Sequence, residues 1–391
     1  MAASLKASEK GLIRIEQARN RMGWNIGSAA WLSKAGVSKP TLKRFLAGKP
    51  VSQSSFAAIC NSVGIEQWED IAELGLETFS IEPSPELIRN VKNLPQNWNQ
   101  RSLYLGDGGK NWLSIAEHPK YISVINRNKM RNVLIEILQA LQEKIKIETF
   151  VSMGPGDADV DYEIVVNLAN PQILYLPVDL SPEILQEAFS RIKNHARVPV
   201  GILCDFEGEF GFVKQRLEPR IKSPVLIGLL GNILGNLDRY EKTFLNQVKS
   251  FLKKGDYLLL DVTIVNSDKY DLASDYQAKP SEHIDEFRRF YAAGVSRQTK
   301  RPIEDIIKEY PEKIKSKLCT TDETYSDIPN TLSVEIFFKD KTEVKIVSLR
   351  RYHWESLLYE LENYFKFEVV EKKPCFFDDK IGSGMVLLKK R

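Results

Sequence analysis

Residues 148–157, ETFVSMGPGD, and 173–185, ILYLPVDLSPEIL, decide the fold. The first is an apolar run that stops at Gly154-Pro155-Gly156-Asp157, and the second ends on the acid Asp179. Three more runs follow: VPVGILCDF (198–206), carrying Asp205 and Phe206, PVLIGLLGNILGN (224–236), and YLLLDV (257–262), carrying Asp261. Short apolar runs, hydrophobic on both faces and alternating with helical segments, are the pattern of a parallel sheet covered by helices on both sides. Ligands of such sheets sit at the carboxyl ends of the strands. Each of these runs places Gly, Asp or Asn there.

Glycines at the first turn let backbone approach a ligand closely. Asp179 closes the next strand about 25 residues later, where an acid can accept both ribose hydroxyls of a nucleoside. Neither G-x-G-x-x-G nor GK[ST] is present, so the pattern suits a nucleoside without a pyrophosphate, such as S-adenosylmethionine. For each acid, capping a strand without touching a ligand is the competing reading.

Upstream, SLYLGDGGKNWLSIAEHPKYISVINRNKM (102–130) is dense in aromatic and turn residues, and an amphipathic helix with Met130, Leu134, Ile137, Leu138 and Leu141 inward follows. The stretch reads as a cover over the first strand or as a lid in which Tyr104, Trp112 and Tyr121 wall a small-molecule pocket. Downstream, 285–292 and 302–317 read as helices of a substrate-side insert. LSVEIFF and EVKIVSL around Lys339-Asp340-Lys341 read as a hairpin, 352–364 as a helix, and FKFEVVE and MVLLKK as strands. Arg350 and Arg351 read as a solvated strand end or as partners for an acidic acceptor group.

MGPGD, PVDLSPEIL, LCDFEG and LLGNILGN together resemble the class I S-adenosylmethionine-dependent methyltransferases. Among these they are most similar to the histidine-specific group, the Nα-methyltransferases of ergothioneine biosynthesis. Tyr104, Gly109, Trp112, Ile115, Pro119 and Tyr121 follow the spacing of that family's substrate-side segment, and 377–385 resembles its closing strand pair. The resemblance spans about residues 100–391 and implies an α/β, Rossmann-like sheet with helices on both faces. It implies that Gly154 and Gly156 lie against the methionine part of the cofactor, with Asp157 also cofactor-binding, Asp179 on the ribose, and Asp205 with Phe206 on the adenine. Asn232 or Asn236 would stand at the methyl-transfer end, with Tyr104 and Tyr121 holding the acceptor. The implied activity is methylation of the amine of a small molecule, amino acid or peptide.

Departures fall mostly on the acceptor side. Ile122 replaces the second Tyr of the lid pair. In place of the family's T-E-x-S, which sets a Glu by the substrate imidazole, Ser348 is preceded by Ile346. Asn232-Ile233 replace a Ser-Thr pair, DADVD stands where a Lys is frequent, and no aromatic–Asn cluster is clear in 269–287. These departures argue against histidine as acceptor and leave open a core that binds S-adenosylmethionine without turnover as a regulator. Nucleic-acid methylation ranks lowest, because no [DN]PP[YW] box is present to hold a flipped base.

The chain of 391 residues, 43% hydrophobic, can bury a large core and hold two or three domains. Boundaries are expected at 1–80 for a head, 81–100 for a linker marked by Pro83, Pro85 and Pro95, and 101–391 for the methyltransferase-like part. That part divides into a lid (101–130), a cofactor core (131–262), an insert (263–330) and closing strands (331–391). Net charge is +3, yet residues 1–50 carry ten Lys/Arg against two acids. A basic head suggests an anionic partner. Its periodicity predicts helices from about residue 8, over 29–35, from Ser38 to Gly48, from Ser52 to Gly64, and a short fifth marked by Trp68 and Ile71. The second and third fit a helix-turn-helix with Lys39, Thr41, Lys43 and Arg44 outward and Lys49 just beyond. The head, read as a small all-α domain, resembles helix-turn-helix heads of bacterial, especially cyanobacterial, multidomain proteins. It reads as a DNA-binding or a partner-docking bundle. Four scattered cysteines without metal-ligand spacing, and no apolar leader or long apolar run, lead to the expectation of a soluble, cytoplasmic protein with no bound metal and no membrane contact.

Overall fold

The structure, a computed structural model, describes residues 4–7, 9–65, 71–73, 79–93, 100–142, 145–266, 285–319, 326–340, 343–378 and 380–391. It divides into two compact units, Met1–Phe79 and Ser80–Arg391.

In the first unit, helices Glu9–Arg21, Ala29–Ala35, Lys39–Leu46 and Gln53–Ser62 form as expected. Ser28, Ser38 and Ser52 cap the last three by accepting a backbone N–H in the first turn. Gly36 ends the second in the left-handed conformation at φ 61°. Trp31, Phe45 and Phe56 are fully buried, and Trp31 Nε1 donates to Ser62 Oγ at 2.8 Å. The unit is not all-α. Ser4–Ala7 pairs antiparallel with Val51–Ser52 and Ala72–Glu73, strands of two to four residues that are too short to show a period of two. Ile71 lies in a turn before the last of them, and Trp68 lies outside the described residues.

The second unit is built on a sheet of eleven strands. In chain order they are β1 (Ser80–Pro83), β2 (Thr149–Met153), β3 (Leu174–Asp179), β4 (Val200–Leu203), β5 (Val225–Leu229) and β6 (Tyr257–Val265), then β7 (Ile314–Cys319), β8 (Leu332–Lys339), β9 (Glu343–His353), β10 (Phe367–Phe376) and β11 (Ile381–Lys390). The strands β1-β4-β3-β2-β5-β6 lie side by side and parallel, and the order reverses beside β2. Antiparallel β11 covers the other edge of β6 and carries β10. β2 and β5 are buried at every residue, as two helix-covered faces require.

Residues 80–92 are not a linker. Pro83 ends the edge strand β1 and Pro85 opens helix Pro85–Lys92 behind the Ser84 cap, the two settings in which a missing N–H costs nothing. The insert and the hairpin also form one piece. Helix Ile303–Lys313 passes directly into β7, where a helix to 317 was expected, and β7-β8-β9 make an antiparallel ribbon joined to β6 through Tyr352 and His353. The expected boundary at 330 cuts through that ribbon. The helix expected over 352–364 begins at Trp354 and finishes in a wider π turn, Glu360–Tyr364. Among the described residues no helix is long and apolar enough to cross a membrane.

Candidate active site

The chain leaves β2 through Gly154 at φ 72° and Gly156 at φ 59°, with Ala158 at φ 55° opening helix Asp159–Asn167. A methyl group on Gly154 would stand 2.5 Å from Ile233 Cδ1, and one on Gly156 would stand 3.4 Å from Trp112 Nε1. Asp157 is held by Arg127 at 2.9 Å and accepts the Asp159 N–H at 3.2 Å.

At the end of β3, Asp179 accepts the Ser181 N–H at 2.8 Å. It is 6% exposed, and burial pushes its carboxyl up to about 7. Beyond β4, Asp205 is occupied from within. The Gly208 N–H donates to Oδ1 at 3.1 Å, and Arg101 binds the other oxygen while also reaching Asp238 at 3.0 Å. Burial drives the neighbouring Glu207 up to about 7, although it accepts the backbone N–H groups of Asp238 and Arg239.

After β5 the two asparagines part ways. Asn232, at φ 65°, accepts the Thr263 N–H at 2.9 Å and donates to Asn236 Oδ1 at 3.2 Å and to the Arg350 carbonyl at 3.4 Å. Its amide holds backbone in place. Asn236 only accepts that one bond, so its Nδ2 has no hydrogen-bond partner among the described residues. Asp261, on β6, accepts the Gly231 N–H at 3.2 Å and the Ser383 hydroxyl of β11, and burial raises its pKa.

The 3-10 turn Arg101–Tyr104 and helices Gly108–Ala116 and Pro119–Val124 bring Tyr104, Trp112 and Tyr121 over this end of the sheet. Trp112 meets Tyr104 and Tyr121 edge-on at 6.0 and 5.8 Å, and Phe290 at 5.8 Å. Burial lifts the Tyr104 hydroxyl above its ordinary range and that of Tyr121 up to about 12. Both therefore stand as neutral hydrogen-bonding groups and not as bases.

One cavity of about 680 Å³ is lined by all ten residues expected for it: Gly154, Gly156, Asp157, Asp179, Asp205, Phe206, Asn232, Asn236, Tyr104 and Tyr121. It is also lined by residues that sequence reasoning missed. Phe287, Phe290 and Tyr291 come from helix Asp285–Thr299, where their i, i+3, i+4 spacing was a legible signal. Arg101 and Arg127 gave none, because their partners are distant in sequence. Arg350 and Arg351 are 1% and 5% exposed, so the solvated strand end is corrected: both are buried and line the cavity. The segment 269–287, where the aromatic–Asn cluster was sought, lies outside the described residues up to 284.

In the first unit Lys39, Lys43, Arg44 and Lys49 are exposed on or beside helix Lys39–Leu46, with Leu42 and Phe45 inward. Thr41 shares a 2.8 Å hydrogen bond with its cap, Ser38, and Arg44 donates to the Pro50 carbonyl at 3.2 Å.

Residues 84–296, just over half of the chain, match the model of a family described as histidine-specific methyltransferase, SAM-dependent. Among solved structures the chain is similar to the CcbJ methyltransferase of Streptomyces caelestis, at 13% identity and a TM-score of 0.38 over 75% of this chain and 98% of that one. It is also similar to the N-methyltransferase NodS of Bradyrhizobium japonicum, at 8% identity and a TM-score of 0.35 over 74% and 98%. A segment of 92 residues is 38% identical to an uncharacterized WD repeat-containing protein of Nostoc sp., covering 19% of this chain and 7% of that protein's length.

Proposed function

Because the chain belongs to the family of histidine-specific, S-adenosylmethionine-dependent methyltransferases, we propose that it methylates the amine of a small molecule, amino acid or peptide within the cavity beneath the lid. One observation carries the reading: the glycine turn after β2 and the buried acid at the end of β3 face the same cavity as an aromatic lid. When bound, S-adenosylmethionine supplies a methyl carbon on a sulfonium: the N–C bond forms as the C–S bond breaks, the electron pair stays on sulfur, and the nitrogen gives up a proton to solvent.

The residues present fit that cofactor. Gly154 and Gly156 turn the bare backbone along the cavity wall at positive φ, where a Cβ on Gly154 would clash with Ile233, and Asp179 offers carboxylate oxygens to a pair of hydroxyls. Phe206 offers an aromatic wall at the adenine end. Asp205 acts there through the ion pair that fixes Arg101, not as an unengaged carboxylate. Positioning the nucleophile does most of the work in such a reaction. Asn236, whose Oδ1 accepts only one hydrogen bond and has a second lone pair, and the neutral Tyr104 and Tyr121 hydroxyls are suited to accept the N–H groups of an amine and leave its lone pair for the methyl carbon, while Asn232 keeps the turn beneath them in shape.

Calorimetry with S-adenosylmethionine and S-adenosylhomocysteine, repeated on Asp179→Ala, tests this. Binding in the micromolar range, lost in a variant that still folds by circular dichroism, is expected. No binding of either compound to the folded chain sinks the proposal. Binding without transfer to any acceptor would leave a ligand-sensing role.

For residues 1–79 we propose a contact with DNA. The four exposed cations on and after helix Lys39–Leu46 support it, since they can reach phosphates while Leu42 and Phe45 anchor the helix.

A further inference from the structure

β8 and β9 pair in the register Leu332↔Arg351, Val334↔Leu349 and Ile336↔Val347. Side chains two apart on a strand share a face, so Arg351, Leu349 and Val347 stand in a row, flanked by Val334 and Ile336. All five line the cavity. Arg350 also lines the cavity, but it alternates to the other face of the strand, where its guanidinium meets the buried Glu241 at 3.5 Å. The register slips next to Ile336, at Ile346, which is 1% exposed and apolar.

The row has a direction. Its cationic end lies beside the asparagine turn, because Asn232 donates to the carbonyl of Arg350. From there the aliphatic pairs lead away in steps of about 7 Å for every two residues. Val334, Ile336, Val347 and Leu349 offer a ligand no hydrogen bond. An imidazole or a charged side chain placed against them loses its water without compensation.

We propose that the acceptor is an α-amino acid with an apolar or aromatic side chain. Its amine stands at Asn236, its carboxylate meets Arg351, and its side chain runs along Leu349 and Val347. A guanidinium is the side chain best matched to a carboxylate, through two parallel hydrogen bonds. The inference rests on the methyltransferase reading and narrows it from any amine to one class.

The test uses the full chain saturated with S-adenosylhomocysteine, titrated by calorimetry with L-phenylalanine, L-leucine, L-tryptophan, L-histidine, L-aspartate and phenethylamine. The apolar amino acids bind at least about tenfold tighter than histidine or aspartate. Phenethylamine, which lacks the carboxylate, binds about tenfold more weakly than phenylalanine. In Arg351→Met the ratio between those two ligands falls towards one, and a ratio is independent of how much protein has folded. In Leu349→Gln the apolar preference shrinks while that ratio stands. Tighter binding of histidine or aspartate overturns the proposal. So does binding of S-adenosylhomocysteine with none of the apolar amino acids, or an unchanged ratio in Arg351→Met. Failure of S-adenosylhomocysteine itself to bind is read in the first titration; it sinks the methyltransferase reading and this inference with it.

Discussion

Arg127 Nη2 lies 2.9 Å from Asp157 Oδ2, and its Nη1 reaches Asp159 at 3.4 Å. The helix that follows the lid thereby holds the turn that follows Gly156. Arg127→Gln leaves Asp157, 8% exposed, without its cation. The expected result is about a tenfold loss of affinity for S-adenosylhomocysteine, equivalent to about 1.4 kcal/mol. The melting temperature should drop by only about 2–4 °C, as a loss near 1 kcal/mol gives in a domain of this size. Calorimetry and thermal melts separate the two. Unchanged affinity would remove the turn from the cofactor site.

The asparagines after β5 predict opposite phenotypes. Asn232→Ala loses the bonds to Thr263, Asn236 and Arg350 and puts a β-carbon without a local hydrogen bond at φ 65°. Destabilisation of about 2–3 kcal/mol follows from a strained backbone and lost hydrogen bonds. Asn232→Gly relieves the strain and recovers about 1 kcal/mol of it. Asn236→Ala leaves the melt within about 1 kcal/mol of wild type and lowers kcat by about tenfold or more, the effect of losing a carbonyl oxygen that accepts an amine N–H and so aims the nitrogen lone pair. Equal losses of stability in all three would make both residues scaffold.

Asp179 gives a pH dependence with a definite sign. Its folded-state pKa is raised to about 7 by burial, against about 3.9 in an unfolded chain. The folded protein thus favours the protonated acid, and the stability tied to this group is lost as pH rises from about 4 through about 7. Ribose hydroxyls donate to the ionised form, so affinity for S-adenosylhomocysteine rises over the same window. Asp161 and Glu207 also line the cavity, with pKa values raised to about 7. Both remain in Asp179→Asn, so the difference between the two pH profiles isolates Asp179. That variant binds more weakly and stays more stable than wild type at pH 8. A wild-type affinity that is flat from pH 5.5 to 8.5 refutes the assignment.

The N-terminal unit should bind duplex DNA with a salt dependence set by Lys39, Lys43, Arg44 and Lys49. Fluorescence anisotropy across a salt series gives the slope of log K against log salt, which is about 0.9 for each phosphate contact. Replacing Lys39, Lys43 and Arg44 by Gln lowers the slope by about 2–3 and weakens binding uniformly across sequences. No binding at low salt returns the unit to partner docking.

What could be read from the chain followed the range of the interactions involved. Most of the parallel core was legible because β2 to β5 are short apolar runs that lead into Gly, Asp or Asn, and helix caps such as Ser38 and Ser52 are local signals; β6 runs on to Val265, so Asp261, expected at its end, lies within it. Asp179 and Gly154 came with the strands that position them. Arg101 did not, because its partners Asp205 and Asp238 are more than a hundred residues away, and no spacing records such a pair. Asn232 and Asn236 look equivalent in LLGNILGN; only the folded backbone of Thr263 and Arg350 separates the clamp from the amide left facing the cavity. Pro83 and Pro85 misled in the opposite direction, since a composition that marks linkers also marks an edge strand and a helix start.

The lid is seated on one glycine. A methyl group added to Gly109 would stand 1.9 Å from Ser181 Oγ, and Ser181 is fully buried as the cap of the helix that follows Asp179. Gly109 has no positive φ, so Gly109→Ala meets only the clash and not backbone strain. Overpacking of this kind costs about 1–3 kcal/mol. Because the clash falls between the lid and the residue two after Asp179, affinity for S-adenosylhomocysteine should fall with stability. Ser181→Gly alone loses a cap worth only a few tenths of a kcal/mol relative to Gly, roughly. The double variant Gly109→Ala/Ser181→Gly restores the room and should recover most of both losses, a coupling that a thermodynamic cycle reads directly. If the two substitutions instead add, the lid does not rest on Ser181.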